Sequence, residues 1–316
     1  MSKIKNFAIT GVAGYIAPRH LKAIKATGNR LIAALDPNDS VGLLDQFDYD
    51  VRFFTEFERF DRHAEKLKRG VEENKIDYVS ICSPNFLHDA HIRFALRIGA
   101  HAICEKPLVL NPWNIDALAE VEEESKGKVN TVLQLRVHPK ILALKNSLKN
   151  EGKKKEVELC YITSRGRWYQ TSWKGDLEKS GGVASNIGIH FFDMLMWMFG
   201  KVQKIEVHVA QFDKMAGYFE LENAKVKWFL SINNNDLPEK VKKEGNTTFR
   251  SITIDGEEVE FSGGFTDLHT IVYEEILKGN GYGLQDAKPA VSLVRDIRDA
   301  ETEINLNNAH PILQNK

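Results

Sequence analysis

The sequence predicts an α/β domain built on a doubly wound parallel sheet, followed by an α+β domain with an open, mostly antiparallel sheet. Short apolar runs alternate with helical stretches as far as about residue 125, which is typical of βαβ units. After about residue 150, strand-like runs follow one another directly, which favours antiparallel pairing. We therefore expect a first domain over residues 1–125 and a second over residues 126–316.

The individual elements follow from the spacing of apolar residues and turn residues. In the earlier part of the chain we predict strands at 4–10, 30–35, 77–82, 101–104 and 129–135, with helices at about 14–27, 58–73, 86–98 and 112–125. In the later part we predict strands at 155–163, 203–212, 225–232, 251–254 and 258–261, with helices at about 182–199 and 266–278. The pair Asp255-Gly256 predicts a hairpin turn between the last two strands.

Composition restricts the class of protein. Hydrophobic residues make up 42% and charged residues 28% of the 316 residues, and the formal net charge is -1. This balance gives no electrostatic footprint for nucleic acid or an anionic membrane surface, so we expect a small-molecule partner. The beginning of the chain lacks a signal-peptide pattern, and no apolar run reaches the roughly 20 residues of a membrane span. Three cysteines without zinc spacing favour reduced thiols, hence no metal site and a cytoplasmic protein.

A glycine turn follows the first strand and opens the first helix. Gly11 permits a tight turn, Gly14 lets the backbone approach a pyrophosphate, and Ala17 allows close packing of helix on strand. Tyr15 and Ile16 complete the loop, whose end is the anion-binding N-terminus of a helix. The pattern predicts a dinucleotide site of the Rossmann type. The alternative is that the same two glycines serve only a turn and bind no ligand.

An acidic residue at the end of the second strand indicates which dinucleotide is bound. Asp36 stands 22 residues after Gly14, where a carboxylate accepts hydrogen bonds from the adenosine ribose and repels a 2′-phosphate. No arginine follows it directly, and Asn38 and Ser40 are further polar candidates for the same ribose. We therefore predict NAD rather than NADP as the cofactor.

Residues at the ends of later strands are further candidates for ligand binding, because ligands of open α/β sheets lie at the carboxyl ends of the strands. Lys106, within Glu105-Lys106-Pro107, can hydrogen-bond a reacting hydroxyl and support proton transfer. The same tripeptide could be an ordinary loop. The other cofactor-binding candidates at strand ends are Ser83, Asn85, His88, Glu105 and Gln134.

A polar stripe interrupts an apolar helix in the second domain. Asn186, His190 and Asp193 are spaced i, i+4 and i+7, so an α-helix would place them on one face. Such a stripe indicates either structural hydrogen bonding or a site in which His190 is a general acid or base.

Taken together, the glycine turn, Glu105-Lys106-Pro107, and Gly181-Gly182 leading to the Asn186–Asp193 stripe resemble the Gfo/Idh/MocA oxidoreductases. The resemblance implies a Rossmann domain followed by a domain with an open antiparallel sheet, and it implies that Lys106 and His190 are catalytic. Many members have Asp where this chain has Asn186, so the resemblance favours positioning of substrate by Asn186 rather than proton transfer.

A narrower resemblance, to the WlbA/WbpB branch of that family, extends over almost the whole chain. It implies oxidation of the 3′-hydroxyl of UDP-N-acetylglucosaminuronic acid with tightly held NAD, for lipopolysaccharide O-antigen or other bacterial surface polysaccharide. It also implies homotetramers and recycling of NADH by 2-oxoglutarate. The strings that carry it are GYIAPRH, VSICSPN, ICEKPLV, QLR, YITSRG, SWKGD, NDLPE, RSIT and GFTDLHT.

Such a substrate is an anion and needs cationic partners. Residues 164–174, which precede the polar stripe, contain positively charged residues close to aromatic ones, and Arg136 follows the predicted strand at 129–135. A guanidinium can bind a carboxylate through two hydrogen bonds, although these cations would equally suit a solvated strand edge. Residues 263–269 form a candidate capping loop for uridine or phosphate. The predicted substrate-binding residues are Arg136, Arg165, Trp168, Tyr169, Lys174, Asn186 and His190.

Two other functions fit the same motifs less well. A dehydrogenase for inositol or a neutral sugar would use the same fold, but the arginines near Trp168 favour an acidic substrate. A dinucleotide-sensing regulator is the non-enzymatic alternative, because a fold alone does not fix function. The presence of both Lys106 and His190 favours an enzyme.

Overall fold

The computed structural model describes residues 3–148, 152–259, 267–303 and 305–314. The chain divides into two compact units, each with its own six-stranded sheet. The first unit runs to Val137 and takes in a later segment that ends at Lys288. The second unit begins at His138 and resumes at Pro289. Within the described residues, no helix is both long and apolar enough to cross a membrane.

The elements have the following bounds. The strands are β1 Asn6–Thr10, β2 Arg30–Leu35, β3 Arg52–Phe54, β4 Tyr78–Ile81, β5 His101–Cys104, β6 Val129–Thr131, β7 Lys155–Thr163, β8 Val202–Ala210, β9 Lys214–Leu221, β10 Ala224–Ser231, β11 Thr248–Ile254 and β12 Glu257–Glu258. The α-helices are α1 Ala17–Ala26, α2 Phe57–Lys68, α3 His88–Arg97, α4 Pro112–Glu123, α5 Pro139–Ser147, α6 Trp168–Thr171, α7 Leu177–Ser180, α8 Ile189–Phe199, α9 Glu239–Lys243, α10 Leu268–Leu277, α11 Leu284–Asp299 and α12 Pro311–Gln314.

The first sheet is entirely parallel, with strand order β3-β2-β1-β4-β5-β6. This order reverses between β1 and β4, and a ligand crevice is expected at the carboxyl ends of strands at such a switch point. The predicted doubly wound parallel sheet is therefore confirmed. Strand β3 was missed because Arg52–Phe54 is too short to show a periodic pattern.

The core of the first unit extends beyond the predicted domain boundary at residue 125. Strand β6 pairs with β5 after that point, so the parallel sheet continues past it. Helix α10 also belongs here: the fully buried Tyr273 stacks on Phe7 of β1 at 5.9 Å, within a cluster that includes Leu21 and Ile24 of α1. A single boundary along the chain could not predict this segment, because its apolar face is buried only when the chain returns to the first sheet.

The second sheet is mostly antiparallel, with strand order β12-β11-β7-β10-β9-β8 and one parallel pair, β7 with β10. The predicted open, mostly antiparallel sheet is confirmed. Strands β11 and β12 pair across the predicted hairpin turn, where Asp255 and Gly256 have φ of 52° and 84°. Positive φ at both central residues is what a tight turn of this kind requires. Residues 260 and 261 of the predicted last strand lie outside the described residues.

Strand β9 was missed because its middle has weak strand propensity. Gly217 lies where a Cβ would stand 2.2 Å from the Glu206 carbonyl oxygen and 2.7 Å from the Trp228 ring. Trp228 is fully buried, so the tight packing of an indole, rather than strand preference, explains the glycine. Helices α5 and α11 were missed as well. In α11, Pro289 lies inside the helix, and proline is a residue that usually argues against one.

Candidate active site

The glycine turn after β1 packs tightly against the end of β4. Gly11 has φ of +77°, and a Cβ there would lie 2.5 Å from the Ser83 nitrogen and 2.6 Å from the Cys82 carbonyl. The backbone of the turn therefore lies directly against the end of β4, at the switch point of the sheet. Gly14 N donates to Gly11 O at 3.0 Å, and α1 begins three residues further on, at Ala17. Tyr15 is exposed and Ile16 half-buried.

Asp36 lies at the end of β2 and is held by the neighbouring backbone. Its Oδ2 accepts from Ala13 N at 3.0 Å, and its Oδ1 accepts from Asn38 N at 2.9 Å. Each carboxylate oxygen keeps a further lone pair, so the group can also accept from a ribose hydroxyl. Asn38 and Ser40 are exposed beside it. This arrangement fits the adenosine end of a dinucleotide.

The segment after β4 is fixed by two buried histidines. Ser83 Oγ lies 2.8 Å from His91 Nδ1, and the His91 ring stacks on Phe57 at 5.2 Å. His88 Nδ1 lies 2.8 Å from the Pro107 carbonyl oxygen, and its Nε2 lies 2.9 Å from the Ser83 carbonyl oxygen. Burial lowers the pKa of His88, although both carbonyls favour the protonated ring. His88 thus connects the ends of β4 and β5. Asn85 is buried in the same segment.

The end of β5 carries the candidate lysine. Lys106 is half-buried, and its peptide bond to Pro107 is cis. Lys106 N donates to Glu105 Oε2 at 3.2 Å. The Glu105 carboxylate is buried, and it is engaged by side chains of the same unit rather than directed to solvent.

Two candidates follow β6. Gln134 is half-buried in the turn after the strand. Arg136 is 7% exposed, lies 4.9 Å from the Tyr282 ring centroid, and donates to the Asp286 carboxylate at 3.3 Å and its carbonyl at 3.1 Å. The guanidinium is thus strongly bound within the first unit, and its predicted role toward a substrate stays a prediction.

The polar stripe of the second unit lies on an irregular helix. A π-helical turn, Ala184–Gly188, precedes α8, so the α-helical spacing assumed for Asn186 and His190 does not hold through this segment. Even so, these are the two half-buried side chains between Val183 and Met196, where every other residue is buried. Asn186 Nδ2 donates to the Tyr169 hydroxyl at 3.0 Å, and burial raises the pKa of Tyr169.

His190 lies among aromatic rings at the start of α8. Its ring centroid is 4.2 Å from that of Phe191 and 6.1 Å from that of Tyr161. Asp193, the third member of the stripe, is buried at 3% exposure. An imidazole that is partly exposed beside apolar rings can exchange a proton with a bound ligand, which suits the role predicted for His190.

The predicted cationic segment is more exposed than this helix. Arg165 and Trp168 are exposed, whereas the Lys174 ammonium lies 4.0 Å from the Trp173 ring centroid. Tyr169 is the buried residue that connects this segment with Asn186. The structure leaves Arg165 and Trp168 accessible to a ligand and does not test their predicted role.

Sequence analysis missed three buried residues near the end of β5: His20 and His269, which contact Glu105, and Tyr273, which contacts His20. His20 and His269 each approach Glu105 Oε1 at 2.9 Å through Nε2, and Tyr273 OH lies 2.7 Å from His20 Nδ1. His20 lies in the sequence GYIAPRH and His269 in GFTDLHT. No sequence spacing predicts that residues so far apart in the chain lie close together. Residues 263–266 of the predicted capping loop lie outside the described residues, and Asp267 is the N-cap of α10.

The strand order, the close-approach turn and the acidic strand end define the first unit as a Rossmann-type dinucleotide-binding unit. Comparison with known families agrees. Residues 5–132 match the oxidoreductase family with an NAD-binding Rossmann fold, and residues 145–242 match the C-terminal α/β domain of the same family.

Solved structures are similar over nearly the full length. The WlbA (WbpB) dehydrogenase from Thermus thermophilus, in complex with NAD and α-ketoglutarate, has a TM-score of 0.93 and 52% sequence identity, covering 98% of this chain and 99% of that chain. A second structure of that dehydrogenase, with NAD and UDP-GlcNAcA, gives the same values.

Curated relatives are more distant. The inositol 2-dehydrogenase of Rhizobium meliloti is 28% identical over 198 residues, which is 62% of this chain and 55% of that protein. The chain spans about half the length of that relative, or less for the next two. From the two domain matches and the full-length likeness, the chain belongs to the Gfo/Idh/MocA oxidoreductase family.

Proposed function

We propose that this protein is an NAD-dependent dehydrogenase that oxidises the 3′-hydroxyl of UDP-N-acetylglucosaminuronic acid to the 3-keto nucleotide sugar. The observation that carries the proposal is the 52% identity, over 98% of the chain, with a dehydrogenase bound to NAD and UDP-GlcNAcA. The fit of the first unit to a dinucleotide and the presence of Lys106 and His190 support it.

The residues of the first unit suit NAD. The turn at Gly11 admits no side chain, because its backbone lies against the end of β4, and a tight turn at this position is what a Rossmann-type pyrophosphate loop requires. Asp36 offers its carboxylate to the ribose, and its charge disfavours a 2′-phosphate. When bound, NAD accepts the C–H bond's electron pair and hydrogen from the alcohol carbon. Ser83, Asn85, His88, Glu105 and Gln134 complete the proposed cofactor-binding set, with Gly14, Tyr15, Ile16, Asn38, Ser40 and Lys106.

Proton transfer in the proposal belongs to His190. Its imidazole takes the proton of the 3′-hydroxyl as the C–O bond becomes a carbonyl, and Lys106 assists by donating a hydrogen bond to the same oxygen. Arg136, Arg165, Trp168, Tyr169, Lys174 and Asn186 are the proposed substrate-binding residues, with cations for the diphosphate and the uronate carboxylate.

Reoxidation of NADH by 2-oxoglutarate is part of the proposal, because the similar dehydrogenase was solved with α-ketoglutarate. The oxoacid would be reduced to its 2-hydroxy acid. The proposal also includes a cytoplasmic homotetramer. Its product would be used in the synthesis of a bacterial surface polysaccharide, such as lipopolysaccharide O-antigen. Light scattering tests the tetramer by a mass four times that of the chain.

The test is absorbance at the NADH wavelength after purified protein is mixed with NAD and UDP-N-acetylglucosaminuronic acid. We expect NADH to form, the absorbance to fall when 2-oxoglutarate is added, and a product lighter by two hydrogen atoms in mass spectrometry. Lys106→Ala and His190→Ala should each lower kcat by about 100- to 10,000-fold while NAD still binds. Lys126→Ala, an exposed change in the same unit as Lys106, is the matched control and should retain wild-type kcat.

Wild-type turnover in the Lys106→Ala and His190→Ala variants would contradict the assigned roles. The likeness to an inositol 2-dehydrogenase provides a second candidate function, oxidation of a neutral polyol. Reduction of NAD with myo-inositol or glucose, and none with the nucleotide uronate, would establish that candidate instead.

A further inference from the structure

A buried carboxylate lies one residue before the proposed catalytic lysine, and the proposed cofactor contact of this residue does not explain the partners of its side chain. Glu105 is 8% exposed. Its Oε1 is 2.9 Å from His20 Nε2 and 2.9 Å from His269 Nε2, and its Oε2 accepts from the Lys106 backbone nitrogen at 3.2 Å. His20 is fully buried and His269 is 3% exposed. All four residues belong to the first unit.

The contacts of Glu105 determine where the protons lie. An ionised carboxylate only accepts hydrogen bonds, so both histidines carry hydrogen on Nε2. A neutral His20 then accepts at Nδ1, where Tyr273 OH lies at 2.7 Å and must be the donor. Tyr273 in turn accepts from Ser80 Oγ at 2.6 Å. The result is a single directed chain from Ser80 of β4 through Tyr273 and His20 to Glu105.

The charge states agree with this assignment. Burial raises the pKa of Glu105, but the hydrogen bonds from His20 and His269 outweigh it and hold that pKa well below the usual range. Burial is the largest influence on His20 and lowers its pKa, which keeps the ring neutral. Glu105 is therefore a fixed negative charge that does not titrate near neutral pH.

The three atoms also have the chemistry of metal ligands. Zinc ligands about 2.0–2.1 Å from the ion at tetrahedral angles are held about 3.3 Å apart. The two nitrogen–oxygen distances of 2.9 Å are instead those of direct hydrogen bonds. The geometry favours protons over a metal between these groups.

We infer that Glu105 is a positioning residue, whose carboxylate, held by His20 and His269, fixes the backbone of Lys106 at the end of β5. The inference rests on the proposed function, because it assigns Glu105 its effect through Lys106. Three elements fix the carboxylate, since Glu105 follows β5, His20 lies on α1 and His269 on α10. The helix that returns from the second half of the chain thereby helps to fix the lysine.

Glu105→Gln distinguishes this role from simple packing. If the amide oxygen faces the histidines, the amide nitrogen confronts the Lys106 N–H, and both are donors. If the amide oxygen faces Lys106, the amide nitrogen confronts two Nε2–H groups. Each orientation breaks a hydrogen bond in a side chain of the same size. We expect kcat to fall about 10- to 100-fold, because small misplacement of a catalytic group is costly. KM for NAD should change by a smaller factor than kcat, because both carboxylate oxygens bind protein partners.

His269 provides a matched pair of variants. His269→Gln keeps a donor close to the position of Nε2, whereas His269→Leu removes it and leaves the carboxylate one hydrogen bond short. We expect a kcat drop of about 10-fold or less for His269→Leu, with recovery to within about twofold of wild type in His269→Gln. Tyr273→Phe leaves both Glu105 contacts in place and should have a smaller effect than His269→Leu.

Lys22→Ala is the control for the two helices. Lys22 of α1 pairs with Asp267, the N-cap of α10, at 2.7 Å, and both side chains are exposed. The variant removes a contact between the same helices without touching Glu105. It should retain wild-type kcat, since exposed ion pairs contribute little.

Amide hydrogen exchange at Lys106 is independent of substrate. Because its N–H donates to Glu105, exchange at this position should be faster in Glu105→Gln than in wild type. Turnover by wild type together with unchanged kcat in Glu105→Gln would overturn the inference. So would unchanged Lys106 exchange, or about one zinc ion per chain retained after dialysis. If wild type shows no turnover with the nucleotide uronate, the proposed function fails, and Lys106 exchange alone decides whether Glu105 positions that residue.

Discussion

The two units hold their candidate residues in different ways. In the first unit, the proposed cofactor-binding residues follow strands of a parallel sheet, and several, such as Asp36 and Glu105, are held by hydrogen bonds within the unit. In the second unit, His190 and Asn186 lie on a helix with a π-helical turn, and Arg165 lies on an exposed segment. In the first unit these side chains are held by contacts within the protein, whereas in the second unit exposed side chains such as Arg165 are accessible to a ligand.

This difference has a physical origin. Parallel strands run in the same direction, so the residues that follow them lie at the same edge of the sheet. A helix presents its residues according to its exact winding, and one π-helical turn changes which residues share a face. Variants of the glycine turn in the first unit should therefore affect stability and NAD binding together, whereas variants of the substrate-binding residues in the second unit should leave NAD binding unchanged.

Gly11→Ala should give the largest effect on stability. It places a side chain at φ of +77° and within 2.6 Å of the Cys82–Ser83 backbone. We expect a loss of about 2–5 kcal/mol in the free energy of unfolding, from left-handed strain and from overpacking, together with loss of NAD binding. Urea unfolding and NAD titration measure both quantities.

Gly28→Ala is the matched control for that change. Gly28 has φ of +73° in the same unit, but a Cβ there meets nothing within 4 Å. Its cost should be limited to about 1–2 kcal/mol of backbone strain, with NAD affinity unchanged. Equal losses in the two variants would show that the close approach at Gly11 contributes nothing.

Acid should destabilise both units by the same mechanism. Burial lowers the pKa of His91 in the first unit, and of His310 in the second, to about 4. An unfolded histidine takes up its proton near pH 6.5, so stability is full above that pH and falls as the pH drops toward 4. Each residue should contribute a loss on the order of 3 kcal/mol. Urea unfolding at a series of pH values measures it.

His91→Gln and His310→Gln remove one titrating group from each unit. Each variant should lose less stability between pH 6.5 and 4 than wild type does, while the other unit's histidine still titrates. A wild-type pH dependence in both variants would mean that other groups control acid unfolding.

Tyr169→Phe should give the smallest effect. It removes the hydroxyl that accepts a hydrogen bond from Asn186 at 3.0 Å, and the free energy of unfolding should fall by about 0.5–1.5 kcal/mol. We expect KM for the nucleotide sugar to rise while the dissociation constant for NAD stays at its wild-type value. A parallel change in NAD affinity would contradict the separation of roles between the units.

Prediction from sequence was most successful where chemistry depends on local order. The turn at Gly11 and the acid at Asp36 could be located because a strand, a glycine turn and a helix are adjacent in the chain. The π-helical turn before His190 was not predicted, since hydrophobic spacing in that segment fits a regular α-helix equally well. Strand β9 was not predicted, because Gly217 weakens its strand pattern. The reason for this glycine is its packing against Trp228, which lies on another strand.

The sequence by itself determined the two sheets, the glycine turn and the residue types at the strand ends, because periodicity and turn chemistry act over a few residues. Only the tertiary structure decided what surrounds Glu105. His20 and His269 are separated by 249 positions, and only the return of α10 to the first unit brings them to one carboxylate oxygen. A hydrogen bond between such distant residues leaves no local pattern, because the fold as a whole brings its partners together.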